Sequence, residues 1–115
     1  DFIPLRYSDV ILMKAEAILR GGTDPMGQTA VDLVNSIRTN RGLDALQTVD
    51  LDELLKERGR ELYWEGLRRS DQIRFGTFLN PMDNKPAKSA DHFVVYPIPQ
   101  KAVSTNVNLT QNVGY

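Results

Sequence analysis

The 115-residue chain contains no cysteine, and it has one histidine, His92, and one tryptophan, Trp64. Without thiols it can form neither a disulfide framework nor a thiolate metal site. A single histidine excludes a two-histidine zinc motif and disfavours a serine–histidine–aspartate triad. The sequence therefore predicts no metal, no cofactor and no catalytic residue.

Long apolar runs and an excess of one charge are also lacking. Fourteen basic residues against fifteen acidic residues give a net charge of −1, so the chain lacks the positive field that non-specific nucleic-acid binding needs. The apolar run Val10–Met13 is far shorter than the roughly 20 residues of a membrane-spanning helix. Hydrophobic residues make up 41% and charged residues 25%, a globular balance, and the length fits one domain over residues 1–115.

Apolar spacing and helix-end signals predict a mainly α-helical chain. The predicted helices cover residues 4–20, 25–41, 51–65 and, as a short last helix, 67–75. Pro4 and Pro25 suit first helical positions, because the amide donor that proline lacks would be unpaired there anyway. Asp50 followed by Glu53 predicts a capping box at the start of the third helix. The short connection between the first two helices predicts an antiparallel helical hairpin.

The regular pattern ends after Phe78. Residues 80–92 contain two prolines and several charges, which predicts an exposed loop. Phe93–Tyr96 is a short β-type segment, and nearby prolines exclude it from the centre of a sheet. Residues 93–115 are therefore predicted to form an extended segment that continues into a long irregular tail.

Charged residues of both signs crowd residues 57–74 at helical spacings. Side chains three or four positions apart are neighbours on a helix surface. Arg58 is therefore expected to face Glu61 and Glu65, and Arg68 to face Glu65 and Asp71. We predict a structural polar network that joins the third helix to the short helix after it. Its predicted members are Arg58, Glu61, Glu65, Arg68, Asp71 and Arg74.

A catalytic interpretation of the same residues is the weaker alternative. Glu61 and Glu65 lie about one helical turn apart and resemble the carboxylate pair of a glycoside hydrolase. Flanking arginines would lower the pKa of both carboxyls, whereas a general acid needs a raised pKa. The network interpretation predicts that alanine at Arg58 or Glu65 lowers the melting temperature more than alanine at Arg38 or Glu53.

Two further features concern packing. The aromatic residues of the second half are expected in the core rather than stacked on a sugar; they are Tyr63, Trp64, Phe75, Phe78 and Tyr96. Gly59 lies inside the third predicted helix, where glycine costs about 1 kcal/mol relative to alanine. We therefore expect another backbone to pack closely against Gly59.

Three ordered stretches resemble the C-terminal part of the SusD/RagB family of outer-membrane nutrient-binding lipoproteins of Bacteroidetes-type bacteria. The first, residues 3–17, reads IPLRYSDVILMKAEA; the second, residues 57–76, reads ERGRELYWEGLRRSDQIRFG; and the third, residues 96–115, reads YPIPQKAVSTNVNLTQNVGY. The chain departs from the family pattern at several positions, including Leu67, Gln72, Val107 and Val113. The charged framework of the second stretch is nevertheless retained.

The resemblance implies a fold of antiparallel helix pairs like those of tetratricopeptide repeats. It also implies a C-terminal fragment of a longer protein, held at the outer-membrane surface by an N-terminal lipid outside residues 1–115. Family members capture glycans or other nutrients and deliver them to a TonB-dependent, SusC-like transporter, and they are not enzymes. This fragment would supply scaffold and transporter-facing helices, and the resemblance assigns it no ligand-binding residue. A generic helical-repeat module that binds proteins is the alternative.

Overall fold

The computed structural model describes residues 5–115, and this part of the chain is mainly helical, as predicted. Its elements are α1 Tyr7–Leu19, α2 Ala30–Asn40, α3 Leu51–Glu61, α4 Arg68–Arg74, a 3₁₀ helix Asp91–Val94, and α5 Gln100–Thr105. Residues 5–115 contain no β-strand, only an isolated antiparallel bridge between Met82 and Lys85. The likeness to tetratricopeptide repeats stays a prediction.

The chain divides into two compact units, the first ending at Asp71 and the second covering Gln72–Tyr115. That the two form one domain stays a prediction. In the first unit, α1 packs against α2 and α3. The buried apolar residues all belong to this unit, and they are Leu12, Ala15, Ala30, Leu33, Val34, Ile37, Val49, Leu54, Leu55 and Leu62.

Helix α1 begins at Tyr7, later than the predicted start at residue 4. Pro4 itself lies outside the described residues. Arg6 precedes the helix in an extended conformation (φ −122°, ψ 152°). Its guanidinium donates a hydrogen bond to Glu61 of α3. At the other end, Gly21 has a φ of +99°, a left-handed conformation that terminates the helix.

Helix α2 begins at Ala30, five residues after the predicted start at Pro25. Thr29 caps it, because its hydroxyl accepts a bond from the Asp32 amide and the Asp32 carboxylate accepts one from the Thr29 amide. Between the two starts lies Gly27 with a φ of +72°, a conformation that cannot continue a right-handed helix. The segment after Pro25 is therefore a turn.

The start of α3 is where the sequence places it. The Asp50 carboxylate accepts a hydrogen bond from the Glu53 amide at 2.8 Å. The helix ends at Glu61 instead of residue 65, because Trp64 (φ +66°) and Gly66 (φ +79°) both adopt left-handed backbone conformations. Helix α4 then covers Arg68–Arg74, close to the predicted short helix over 67–75.

The second unit is more regular than predicted. Phe93 and Val94 belong to the 3₁₀ helix rather than to a β-type segment, and α5 lies within the predicted irregular tail. The tail was predicted to be irregular, but a short helix forms there, and Pro99 stands at its N-cap, where it needs no amide donor. Within the predicted loop over 80–92, the backbones of Met82 and Lys85 exchange two hydrogen bonds of 2.8 Å.

Candidate functional site

Arg58 lies in the first unit, next to α1 and to the first residues of α4, and is only 3% exposed. Its Nη2 donates to Oδ1 of Asp9 on α1 at 2.8 Å, and its Nε donates to Oδ2 of Asp71 on α4 at 2.9 Å. Both carboxylates are buried as well. The Nη1 atom of Arg58 has no hydrogen-bond partner within residues 5–115. One buried guanidinium therefore joins α1, α3 and α4.

Glu61, at the end of α3, binds two arginines that are remote in the sequence. Arg41 donates to both of its carboxylate oxygens, from Nη2 at 2.7 Å and from Nε at 3.1 Å. Arg6 adds a third bond from Nη1 at 3.1 Å, and its Nη2 reaches the Glu61 carbonyl oxygen at 2.6 Å. These bonds, led by those of Arg41, lower the pKa of Glu61 to about 2, although burial by itself would raise it.

Arg6 also holds Glu65. Its Nη2 lies 2.7 Å from Oε1 of that carboxylate and its Nε lies 3.1 Å from Oε2, a bidentate pair. The same guanidinium therefore contacts both members of the carboxylate pair that resembled a hydrolase site. Because Arg6 stands just before α1, these ion pairs hold the start of α1 next to the end of α3.

A third cluster surrounds Glu57, which is 3% exposed. Arg38 of α2 donates to its Oε2 at 2.9 Å, and Arg60 of α3 donates to the same oxygen at 2.6 Å. Nη2 of Arg60 also donates to Oε1 of Glu53 at 2.7 Å. The Arg60 guanidinium is the main cause that lowers the pKa of Glu53. This cluster joins α2 to α3.

Two other members of the predicted network, Arg68 and Arg74, make contacts of a different kind. Arg68 donates from Nη1 to the Leu55 carbonyl oxygen at 2.8 Å. A Cβ atom at Gly59 would lie 2.8 Å from that Nη1, so Gly59 makes room for a guanidinium and not, as expected, for another backbone. Arg74 lies 5.4 Å from the centre of the Phe75 ring, in the second unit.

The structure brings the charged residues together with partners that the helical spacing does not indicate. Arg58 binds Asp9, which lies outside the predicted network, and Asp71, which was expected to face Arg68 rather than Arg58. Glu61 and Glu65 pair with Arg6, and Glu61 also with Arg41, rather than with Arg58. That the network is structural remains our interpretation, supported by the burial of Arg58, Asp71 and Asp9.

The predicted network lacked seven residues of these clusters: Arg6, Asp9, Arg38, Arg41, Glu53, Glu57 and Arg60. One signal was available, because Asp9 and Glu16 share a stripe of α1 with Leu12 and both carboxylates are buried. A carboxylate that recurs on the buried side of a helix implies a cationic partner on a neighbouring element. The identity of that partner depends on packing and has no local sequence signal.

This arrangement is unsuited to acid–base catalysis. A carboxyl with a pKa of about 2 is ionised near neutral pH and cannot serve as a proton donor. Arg6 occupies both carboxylates of the Glu61–Glu65 pair. Within residues 5–115, no group of three or more histidine, aspartate or glutamate side chains is arranged to hold a metal ion.

Comparison with known proteins gives this arrangement a family. Residues 1–88 match the family model described as the SusD family. The chain belongs to the SusD family. It is 37% identical over 126 residues to the starch-binding protein SusD of Bacteroides thetaiotaomicron, a match that covers 98% of this chain and 21% of that protein. It is 33% identical over 130 residues to a SusD-like protein of Formosa agariphila, covering all of this chain and 25% of the relative.

Solved structures of SusD proteins share the fold. Surface glycan-binding protein A from Bacteroides thetaiotaomicron superposes with a TM-score of 0.82 at 30% identity, over 97% of this chain and 24% of the other. A SusD superfamily protein from Parabacteroides distasonis gives a TM-score of 0.73 at 29% identity, over 96% and 26%. This SusD-family chain thus spans about a fifth to a quarter of the length of the relatives it matches.

Two other properties of this SusD-family chain bear on its surroundings. In the part of the chain that the structure describes, no helix combines the length and the apolar character that crossing a bilayer requires. The aromatic residues were expected in the core, but none of them is buried within residues 5–115: Trp64 is 88% exposed, Tyr63 is 73% exposed and Tyr96 is 68% exposed. Phe75 and Phe78 are half-buried.

Proposed function

We propose that this chain is part of a surface protein that binds a nutrient, a glycan in the first instance, and delivers it to a SusC-like, TonB-dependent transporter of the outer membrane. The observation that carries the proposal is membership of the SusD family across residues 1–88. Two relatives are named for binding starch and surface glycan, respectively. The intact protein would be held at the cell surface by an N-terminal lipid that lies outside residues 1–115.

Within that protein, residues 5–115 would supply scaffold and transporter-facing helices. The first unit supports this role, because its buried charges bind one another across α1, α2, α3 and α4. Exposed apolar side chains on and just before α1 offer a surface for protein contacts; they are Leu5, Tyr7, Val10 and Met13. We assign no ligand-contacting residue to this part of the chain.

The protein would not be an enzyme. The names of its relatives describe binding, and the Glu61 carboxyl, with its pKa of about 2 and its two arginine partners, lacks the properties of a general acid. The hydrolase interpretation of Glu61 and Glu65 therefore becomes less favourable than it was from spacing alone.

A generic protein-interaction module is the second candidate function. The exposed apolar surface of α1 favours it, since Tyr7 is 79% exposed and Val10 is 49% exposed within the described residues. This candidate differs from the first in one measurable respect. It requires a protein partner and no affinity for any nutrient.

The test uses the intact protein, with titration calorimetry against malto-oligosaccharides and a panel of other glycans, and affinity purification from solubilised outer membranes. We expect saturable binding of at least one glycan and co-purification of a transporter. Tight binding to a protein partner without affinity for any nutrient would favour the interaction module. Release of reducing ends, abolished by Glu61→Gln and Glu65→Gln together, would instead establish a hydrolase.

A further inference from the structure

The end of α3 presents an aromatic surface that the described residues leave uncovered. Tyr63 and Trp64 are adjacent, their rings tilt against each other with centres 6.1 Å apart, and both are largely exposed. We call these two side chains, with the cavity beside them, the aromatic face. The cavity has a volume of about 630 Å³ and is lined also by Leu62 and Gly66. Contiguous exposed apolar side chains, unlike isolated ones, mark interaction surfaces.

The backbone of Trp64 adds a second observation. Trp64 is the one residue other than glycine with a positive φ, +66°, within residues 5–115. A bulky side chain adopts this conformation only where its surroundings fix it. Within the described residues the Trp64 side chain has few neighbours, because it is 88% exposed. Packing from outside residues 5–115 would account for a conformation that the local contacts do not.

The charges around the cavity indicate the chemistry of the occupant. Its lining is rich in cations, namely Lys56, Arg58, Arg60 and Arg68, against one carboxylate, Asp71. Lys56 and Arg60 pair with Glu53, and Arg58 pairs with Asp71. Arg68 bonds a backbone carbonyl and has no carboxylate partner within residues 5–115. The face therefore suits an apolar segment that carries an acidic side chain.

The family comparison identifies where such a segment can come from. The chain covers 21% of the starch-binding relative and 24% of the solved glycan-binding structure, so most of each relative lies outside the match. We propose that the aromatic face is an internal interface of the intact protein, covered by a segment of the same polypeptide from outside residues 1–115. That segment packs apolar side chains on Tyr63 and Trp64 and pairs an aspartate or glutamate with Arg68.

This inference rests on membership of a family of longer chains and not on the nutrient-binding role. Its failure and the failure of the proposed function are therefore distinguishable. The first experiment introduces single cysteines into the intact protein, Trp64→Cys as the probe and Lys88→Cys as the control, because Lys88 is also exposed in the described structure. The native proteins are treated with a maleimide, and each rate is divided by the rate in denaturant.

We expect the thiol at position 64 to react about 100-fold more slowly than that at position 88 in the native protein, because reaction requires local opening. Rates within a few-fold of each other would overturn the proposal. So would protection that disappears on dilution of about fifty-fold, which assigns the face to a second copy. Protection that appears only after addition of malto-oligosaccharides would assign it to a glycan and overturn the proposal too.

A second experiment keeps the proposal falsifiable if Trp64→Cys does not fold. The photo-crosslinking amino acid p-benzoylphenylalanine replaces Tyr63 of the intact protein, and mass spectrometry maps the crosslinked peptide. We expect a peptide from outside residues 1–115 that contains an acidic residue. In addition, Arg68→Glu should lower the melting temperature, and reversing the charge of that acidic residue should restore it. No crosslink, or one to a separate molecule, would contradict the proposal.

Discussion

Arg58 illustrates at the residue scale how a buried charge acts as structure. Its guanidinium and both of its carboxylate partners, Asp9 and Asp71, are at least nine-tenths buried. Removing three charged groups from water costs several kcal/mol for each ion, which the two ion pairs offset when all three are present. The net stabilisation from such a group is small, but the loss of one member leaves the others charged without a partner.

We therefore predict that Arg58→Ala lowers the free energy of unfolding by about 3–5 kcal/mol, because Asp9 and Asp71 would both stay buried and unpaired. Asp52→Ala is the matched control on the same helix, since Asp52 is exposed and does not line the cavity of the aromatic face, and it should change stability by less than about 1 kcal/mol. Denaturant unfolding of the intact protein measures both. Equal effects of the two substitutions would contradict the prediction.

The structure changes the comparison that the sequence alone suggests. Glu65 was expected to be buried and Arg38 exposed, but the Glu65 side chain is 27% exposed and that of Arg38 is 14% exposed. Arg38 also pairs with Glu57, whose side chain is 3% exposed. Alanine at Arg38 would leave Glu57 with Arg60 alone. Arg38 is therefore unsuitable as a surface control. Alanine at Glu53 or at Glu65 should lower the free energy of unfolding by similar amounts, which are smaller than the loss expected for alanine at Arg58.

The pKa of Glu61 predicts a dependence of stability on pH. Its folded value of about 2 lies below its ordinary value of 4.5, so the unfolded state binds more protons between these values and stability rises with pH across that range. The contribution is fully present above about pH 4.5 and is lost as the pH falls towards 2. Because Arg41 and Arg6 are partly exposed, solvent screening limits it to about 1–2 kcal/mol.

Glu61→Gln should remove this contribution. We expect the variant to be less stable than the parent at pH 7 and equally stable near pH 2, as measured by chemical unfolding across that range. Asp52→Asn is a suitable control, because Asp52 is exposed on the same helix. A stability difference between Glu61→Gln and the parent that stays constant with pH would contradict the assignment.

At the scale of elements, α2 shows what local signals can and cannot decide. The sequence offers two helix starts, Asp24 before Pro25 and Thr29 before Asp32, and each has suitable capping chemistry. The second is used because Gly27 turns the chain between them and the Asp24 carboxylate is engaged by Lys14 at 3.0 Å. The interaction with Lys14 belongs to tertiary packing, so the sequence pattern could not rank the two starts.

The observed start of α2 has a direct test. Thr29→Ala removes the side-chain cap and should destabilise the protein by about 1 kcal/mol. Pro25→Ala should cost less than about 0.5 kcal/mol, because residue 25 lies outside the helix. Thermal or denaturant unfolding compares the two variants. A larger effect at Pro25 than at Thr29 would favour the helix start that the sequence first suggested.

In the other elements too, some features follow from local sequence signals and others depend on tertiary contacts. Asp50 and Glu53 place the start of α3 correctly, since the capping carboxylate and the amide that donates to it are three residues apart in the sequence. The tail was expected to be irregular, yet α5 forms there, and the Gln111 amide pairs with the Ile98 backbone through two bonds of 2.8 Å. The Gln111 side chain takes the place that a neighbouring strand would take in bonding the Ile98 backbone. Such a contact across 13 residues leaves no periodic pattern in the sequence.

For the molecule as a whole, the family could be predicted from sequence but the covered surfaces could not. Three ordered motifs identify the SusD family, and the family model and the solved structures agree. The same motifs gave no indication that Tyr63 and Trp64 would lie exposed in this part of the chain. Exposure depends on which other segments are present, and the chain covers about a quarter of its solved relatives.

We interpret the charged clusters of the first unit as groups that hold helices together and take no part in binding or catalysis. The most direct test measures, on one variant of the intact protein, Glu61→Gln, both the stability at pH 7 and the affinity for the glycan it binds. We predict a loss of about 1–2 kcal/mol in stability with the Kd unchanged within about twofold. A Kd weakened by about tenfold or more at unchanged stability would contradict the claim.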